Sequence, residues 1–120
     1  MDISPQVRDK LAQFQNLQSQ LQLMVAQKQQ LILQDQEIKN AMEELEKVKA
    51  GKIYRSVGNI LVEISKEEGM KKLEEDKSTI STRIQILERQ EKKLSEKLQS
   101  LGAELQGLLG SKTSPPGAGG

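Results

Sequence analysis

The sequence contains no cysteine, no histidine and no tryptophan, and it has one phenylalanine and one tyrosine in 120 residues. Without histidine or cysteine, the usual zinc, copper and haem ligand sets cannot form, and neither can a serine–histidine or cysteine–histidine catalytic pair or a disulfide. So few aromatic residues leave little bulk for a compact core in a chain of this length. The composition argues against a histidine- or cysteine-dependent enzyme and against a conventional globule.

Charge and hydropathy argue against two further classes of protein. Lysine and arginine number 18 against 17 aspartate and glutamate, for a net charge of +1, so strong non-specific attraction to nucleic acid or to an anionic membrane is not expected. The longest apolar run, residues 23–26, is far shorter than the roughly 20 residues of a transmembrane helix. No apolar targeting run occurs at the N-terminus. We therefore expect a cytoplasmic protein that binds neither nucleic acid nor membrane.

Two short segments resemble part of a phosphate-binding loop but lack its required features. Gly51-Lys52 is followed by Ile53 instead of serine or threonine, and residues 110–113 have no preceding strand. Acidic clusters in the two halves of the chain have lysines among them, which is typical of solvated helix flanks. We therefore predict no catalytic residue, no metal site and no cofactor.

Two long stretches carry apolar residues at alternating spacings of three and four, the heptad pattern of a coiled coil. The first is predicted to start at the cap Ser4-Pro5 and to run to Ala50, with neither proline nor glycine inside it, over about 65 Å. The second begins at a capping box formed by Ser65 and Glu68 and has a similar length. The two matched heptad patterns predict a pair of long helices.

Between the helices the apolar period changes to two. Residues 53–57 and 60–64 are rich in β-branched side chains and are separated by Gly58-Asn59, which suits a type II′ hairpin turn. Pairing Val57 with Ile60 places the apolar side chains on one face. The predicted fold is mainly α, with an N-terminal coiled-coil helix at 1–50, a hairpin at 51–65, a C-terminal coiled-coil helix at 66–110 and a disordered tail at 111–120.

A hairpin reverses the chain, so the two helices are expected to form an antiparallel coiled coil in which Phe14 faces Leu101. In that register the polar seam residues approach one another with opposite charges, Asp35 near Lys77 and Lys28 near Glu91. We hypothesise that these four residues select the register, because a buried unpaired charge penalises a slipped alignment. Alternatively, their long side chains reach solvent from the seam.

The hairpin cannot be stable alone, since two strands are marginal in water. Several chains could pool their hairpins into a closed β-barrel or sandwich, which would also pair the free edges. Alternatively, the hairpin folds back on the helices as a local cap. The residues assigned to assembly are Ile53, Tyr54, Val57, Gly58, Ile60, Val62 and Ile64.

The far ends of the helices are predicted to fray, because Gly102, Gly107 and Gly110 each cost helix stability. Apolar side chains exposed there would form a flexible, weakly charged surface suited to non-native polypeptide. The alternative is ordinary terminal fraying, with leucines that a partner buries. The residues assigned to this client-binding tip are Ile3, Val7, Leu11, Phe14, Leu101, Leu105, Leu108 and Leu109.

The hairpin segment Lys52–Glu63, KIYRSVGNILVE, resembles the most recognisable stretch of the archaeal-type β-class subunit of prefoldin. The resemblance extends to the glutamine-rich first helix and to residues 89–94, RQEKKL, and it covers nearly all of the chain before the tail. A single hairpin, instead of two, separates the β class from the α class in that family.

The resemblance implies a hexamer of two α-class and four β-class subunits whose hairpins form a double β-barrel. It further implies that the coiled-coil tips hold unfolded polypeptide without ATP and deliver it to a group II chaperonin. A structural coiled-coil adaptor that holds two folded partners apart is the alternative, and it would require fixed contacts at the helix ends. An enzyme subunit would depend on a partner chain for all its chemistry.

Overall fold

The structure, a computed structural model, describes residues 3–113. Helix α1 (Pro5–Lys47) is followed by strands β1 (Ile53–Val57) and β2 (Ile60–Ile64) and by helix α2 (Lys66–Thr113). The predicted fold class, two long helices joined by a β-hairpin, is confirmed. Most of the predicted tail lies outside the described residues, and its first three residues belong to α2.

Both helices begin at the serine caps that the sequence indicates. The Val7 backbone N–H donates to Ser4 Oγ at 3.2 Å. Ser4 is followed by Pro5, the first residue of α1. At α2 the Glu68 backbone N–H donates to Ser65 Oγ at 3.0 Å, and the Ser65 hydroxyl lies 3.2 Å from Glu68 Oε1. Each cap satisfies a backbone donor that has no partner within its helix.

Helix α1 ends at Lys47, three residues before the predicted end at Ala50. The Val48 N–H donates to Leu45 O at 3.1 Å. This bond spans three residues instead of four, so the last turn is closed as in a 3₁₀-helix. Gly51 then takes a φ of +105°, which directs the chain towards β1. Near this end, Lys66 Nζ lies 3.1 Å from Glu46 O and 3.0 Å from Val48 O.

The hairpin has the predicted pairing. Val57 lies opposite Ile60 and Ile53 lies opposite Ile64 in an antiparallel register. Gly58 has a φ of +58° and Asn59 does not share the positive φ, which agrees with a type II′ turn and excludes type I′.

The chain divides into two compact units. The first, which we call the terminal unit, combines Met1–Ala26 with Glu88–Gly120. The second, the hairpin unit, is Gln27–Leu87. Both units contain a stretch of α1 and a stretch of α2, and the hairpin belongs to the second.

The core of the terminal unit is made by residues from both helices. Val7, Leu101 and Leu105 are buried together, and four half-buried side chains pack against them. Those four are Leu11, Phe14, Leu17 and Leu108. Early residues of α1 therefore meet late residues of α2, so the helices of this unit are antiparallel, as predicted.

In the hairpin unit, burial follows the predicted heptad spacing. On α1, Leu31 is buried, and the half-buried residues after it recur at spacings of three and four. They are Asp35, Ile38, Met42 and Leu45. On α2 a corresponding half-buried row contains Met70, Leu73, Lys77, Ile80, Ile84 and Leu87. The seam is therefore a narrow stripe, as in a coiled coil.

Two glycines provide a matched test of these backbone assignments. A Cβ at either Gly107 or Gly58 would meet no atom within 4 Å, but Gly107 is helical whereas Gly58 has a positive φ. We expect Gly107→Ala to raise the free energy of unfolding by about 0.5–1 kcal/mol and Gly58→Ala to lower it by about 1–2 kcal/mol. Urea unfolding followed by far-ultraviolet circular dichroism measures both. Shifts in the same direction would contradict the assigned conformations.

Candidate assembly and client-binding surfaces

The hairpin presents apolar side chains to solvent on both faces. On one face Val57, Ile60 and Val62 are 44%, 61% and 41% exposed, and on the other Leu61 and Tyr54 are 70% and 53% exposed. Exposed apolar side chains so concentrated in one small element typically mark an interaction surface.

Only the end of the hairpin nearest the helices is covered. Ile53 and Ile64 are half-buried, and both approach the α2 backbone at Gly69. The helices do not cover the turn end of the hairpin, which is exposed to solvent. A local cap, in which the hairpin buries its apolar face against its own helices, is not what the chain forms.

The sheet is also incomplete along its edges. It consists of two strands in the described part of the chain, so each strand pairs on one side alone. Unpaired strand edges favour pairing with further strands. The assembly residues predicted from the sequence therefore lie together, with Gly58 in the turn and Tyr54 on the opposite face from Val57.

Asp35 lies on the α1 seam between two cations. Its Oδ1 atom is buried and lies 3.7 Å from Lys77 Nζ, and its Oδ2 atom lies 3.3 Å from Lys39 Nζ. The Asp35 side chain is 17% exposed, so its charge is less screened than that of a surface carboxylate, whereas Lys77 and Lys39 are 36% and 47% exposed. Lys39 lies outside the seam and is not singled out by the heptad pattern, although its i,i+4 spacing from Asp35 indicates an ion pair.

The second predicted charge pair falls on residues of different units. Lys28 is a half-buried residue of the hairpin unit, and Glu91 is a half-buried residue of the terminal unit. Their pairing stays a prediction. In the terminal unit, Lys10 forms an ion pair with Glu104 that the sequence analysis did not identify. Glu104 lies beside the seam, where a heptad reading does not single it out.

The terminal unit differs from the predicted exposed, frayed tip. Val7, Leu101 and Leu105 are 5%, 9% and 6% exposed, so the expectation that they face solvent is wrong. Their heptad spacing continues to the helix ends, and each packs on the opposite helix. Helix α2 also continues through Gly102, Gly107 and Gly110 to Thr113. Packing across the seam outweighs the propensity cost of those glycines.

Other predicted tip residues have accessible surface. Ile3 is 41% exposed and Leu109 is 43% exposed. Leu11 and Phe14 are half-buried, as is Leu108.

An open groove runs along this unit between α1 and α2. Apolar residues that line it are Leu11, Phe14, Leu98, Leu105 and Leu109. The groove passes Gly102, where an added Cβ would be 3.4 Å from Phe14 Cε2. Gly102 and Ala103 also line the groove, and their small size leaves it open to solvent on that side. Such a groove offers apolar contact without the enclosed shape of a small-molecule pocket.

Neither helix in residues 3–113 is long and apolar enough to cross a membrane.

Residues 8–112 match a family model described as prefoldin subunit. The prefoldin subunit beta of Thermococcus onnurineus is 44% identical over 109 residues, which are 90% of this chain and 94% of that protein. The prefoldin subunit beta of Methanosarcina acetivorans is 38% identical over 112 residues, or 92% of this chain and 96% of its relative.

A solved structure is similar in both fold and sequence. The crystal structure of the prefoldin beta subunit from Thermococcus strain KS-1 has a TM-score of 0.82 and 40% identity, covering 96% of this chain and 98% of that one. The chain belongs to the prefoldin subunit family. The resemblance to its β class, inferred from the hairpin segment, is confirmed by these relatives.

The Asp35–Lys77 pair allows a double-mutant test of register selection. We expect Asp35→Lys and Lys77→Asp each to lower the free energy of unfolding by about 1–2 kcal/mol, because each places like charges together at the seam. The double variant should recover about 0.5–1.5 kcal/mol relative to the sum of the single effects. Recovery is partial, since Lys39 still repels a lysine at position 35. Urea unfolding measures all four proteins.

The control is the ion pair between Lys72 and Asp76 on α2. Lys72 Nζ lies 2.9 Å from Asp76 Oδ1, and the two side chains are 39% and 41% exposed. Its reversal should give a coupling energy below about 0.5 kcal/mol. A double reversal at 35 and 77 that is less stable than either single variant would exclude register selection by this pair.

Proposed function

We propose that this chain is a subunit of an ATP-independent chaperone that holds unfolded polypeptides. It assembles through its hairpin with α-class prefoldin subunits, two α with four β, and the hairpins close into β-barrels. The terminal unit contacts unfolded clients, and the complex delivers them to a group II chaperonin in the cytoplasm. No cofactor, nucleic acid or membrane takes part.

One observation carries the proposal: the apolar hairpin of a prefoldin-family chain is left exposed on both faces and along both edges. Burying side chains such as Ile60 and Leu61 in an oligomer would stabilise it by about 1.5–3 kcal/mol each. Strand pairing between subunits would also satisfy edge N–H and C=O groups that face water in the single chain.

The terminal unit supports a client-binding role through its accessible residues. Ile3, Leu109 and the open apolar groove beside Phe14 provide a surface of low charge. Because Val7, Leu101 and Leu105 hold the two helices together, they act as support for that surface and not as the contact itself.

The structural adaptor is the second candidate, and the packed core of the terminal unit favours it. An ordered helix pair could hold a folded partner by fixed contacts. The two functions differ in whether the bound ligand must be unfolded.

Ile60→Glu tests the role of the hairpin. Ile60 and Leu23 have the same exposure, 61%, but only Ile60 lies in the hairpin. We expect Ile60→Glu to weaken assembly with a co-expressed α-class subunit at least tenfold, since about 2 kcal/mol of apolar burial is lost and a charge is introduced. Leu23→Glu should leave assembly unchanged. Mass photometry over a dilution series measures both, and equal effects of the two substitutions would contradict hairpin assembly.

The client surface is tested by Ile3→Gln with Leu109→Gln, against Leu23→Gln with Leu33→Gln as the control. The control residues are more exposed, at 61% and 65%, but lie away from the helix ends. We measure light scattering when a denatured, aggregation-prone protein is diluted into the assembled oligomer without nucleotide. The first double variant should need at least tenfold more oligomer for equal suppression, because about 1 kcal/mol of apolar contact is lost per side chain.

Two outcomes would contradict the client assignment. Equal suppression by both double variants would place the client surface elsewhere. No suppression by the unsubstituted oligomer would favour the adaptor.

A further inference from the structure

The junction of the hairpin with the helices is held by a lysine that bridges two chain segments. Lys66, the first residue of α2, places its Nζ 3.1 Å from Glu46 O and 3.0 Å from Val48 O. These carbonyls lie at the C-terminal end of α1, where backbone acceptors have no partner within the helix. An ammonium group there also interacts favourably with the helix dipole.

The same contact lies at the end of α1, whose last residue is Lys47. The Lys66 ammonium donates to the carbonyl oxygens of Glu46, in the last turn, and of Val48, and the chain then continues to Gly51, where φ is positive. The segment that enters the hairpin and the segment that leaves it are therefore tied together by one side chain. We call this junction the neck, consisting of residues 45–53 and 64–69.

One turn beyond Lys66, the first and last residues of the hairpin pack against Gly69. Gly69 is buried, and an added Cβ would lie 3.2 Å from Leu45 Cδ2 and 3.3 Å from Ile64 Cδ1. Ile53 Cγ2 would be 4.0 Å away. The first and last residues of the hairpin and the end of α1 thus converge on the one position of this turn that has no side chain.

We infer that Lys66 and Gly69 are positioning residues that set the direction of the hairpin before assembly. Lys66 fixes the α1 end through hydrogen bonds. Because Gly69 has no side chain, Leu45, Ile53 and Ile64 can pack closely against the α2 backbone there. Strand pairing between subunits depends on hairpin direction, because backbone hydrogen bonds tolerate little misalignment. A hairpin held in one direction also loses less conformational entropy on association than one free to swing.

This inference rests on the proposed assembly through the hairpin, and two readouts separate it from that proposal. The first is the assembly equilibrium with a co-expressed α-class subunit, measured by mass photometry. The second is hairpin direction in the isolated chain. Because the chain has no cysteine, Ser56→Cys and Glu74→Cys introduce unique sites for spin labels, and pulsed electron paramagnetic resonance gives the distribution of distances between them.

The lysine series compares Lys66→Met, which removes the donors, with Lys66→Arg, which retains donors. Lys52→Met is the control, since Lys52 lies in the same junction but its side chain is 70% exposed and its Nζ is 3.9 Å from Glu63. We expect Lys66→Met to broaden the distance distribution and to weaken assembly at least tenfold. Lys66→Arg and Lys52→Met should stay within twofold of the unsubstituted chain.

The glycine series compares Gly69→Val with Gly107→Val. Both substitutions add the same side chain to α2, but at Gly107 it meets open space. Gly69→Val should shift or broaden the distances and weaken assembly at least tenfold, whereas Gly107→Val should change neither. Circular dichroism of each variant reports whether its helices are retained.

Three results would overturn the inference. One is a distribution that stays unchanged in both Lys66→Met and Gly69→Val, whatever the assembly result. Another is a changed distribution with unchanged assembly, which would remove the link to oligomer formation. A third is equal loss of assembly in Gly69→Val and Gly107→Val. If the unsubstituted chain fails to assemble, the proposed function fails, and the distance distributions alone decide whether the neck sets hairpin direction.

Discussion

Apolar side chains in contact along the α1–α2 seam hold the two helices together, and the hairpin is carried by the paired helices. The buried apolar side chains among the described residues all belong to it: Val7, Leu31, Leu94, Leu101 and Leu105. Because no other core is present in that part of the chain, helix formation and helix pairing stabilise one another. Isolated helices of this composition would gain little in water, and most of their stability comes from packing.

The dependence on one stripe has a structural consequence for the polar residues within it. Asp35 lies on the seam, where its carboxylate forms ion pairs with Lys77 across the seam and with Lys39 on its own helix, while its buried Oδ1 atom accepts no hydrogen bond from the described residues. Partly buried charges of this kind contribute little net stability, but they penalise alignments that separate them. The seam thus combines apolar residues that hold the helices together with a few charged residues, for which register selection stays a prediction.

The hairpin stands in contrast to the seam. Its end residues Ile53 and Ile64 lie against Gly69, and its turn uses the positive φ of Gly58. Most of its apolar side chains are nevertheless exposed to solvent. The helices do not cover the turn end of the hairpin, where Ile60 and Leu61 are 61% and 70% exposed. The family to which the chain belongs and the exposed strands together support the view that other subunits supply that cover.

Much of this architecture was predictable because its causes are local in the chain. The caps at Ser4 and Ser65, the turn at Gly58 and the heptad rows depend on residues within a few positions of one another. The candidate assembly residues followed from the same reasoning, since period-two alternation specifies which side chains share a face. The predicted exposure of the terminal residues failed, because glycine content was weighed above the packing of Val7 against Leu101 and Leu105.

The helix–hairpin–helix order, the hairpin register and the residues of the seam follow from the sequence alone, since each depends on short-range spacing and conformational preference. Tertiary contacts show what lies at the end of α1, which side chains meet at Gly69, and which apolar residues of the terminal unit are covered. Those features arise where segments distant in sequence meet, as at Lys66 with Glu46 and Val48. Local propensity carries no information about which carbonyl groups or methyl groups such a meeting brings together.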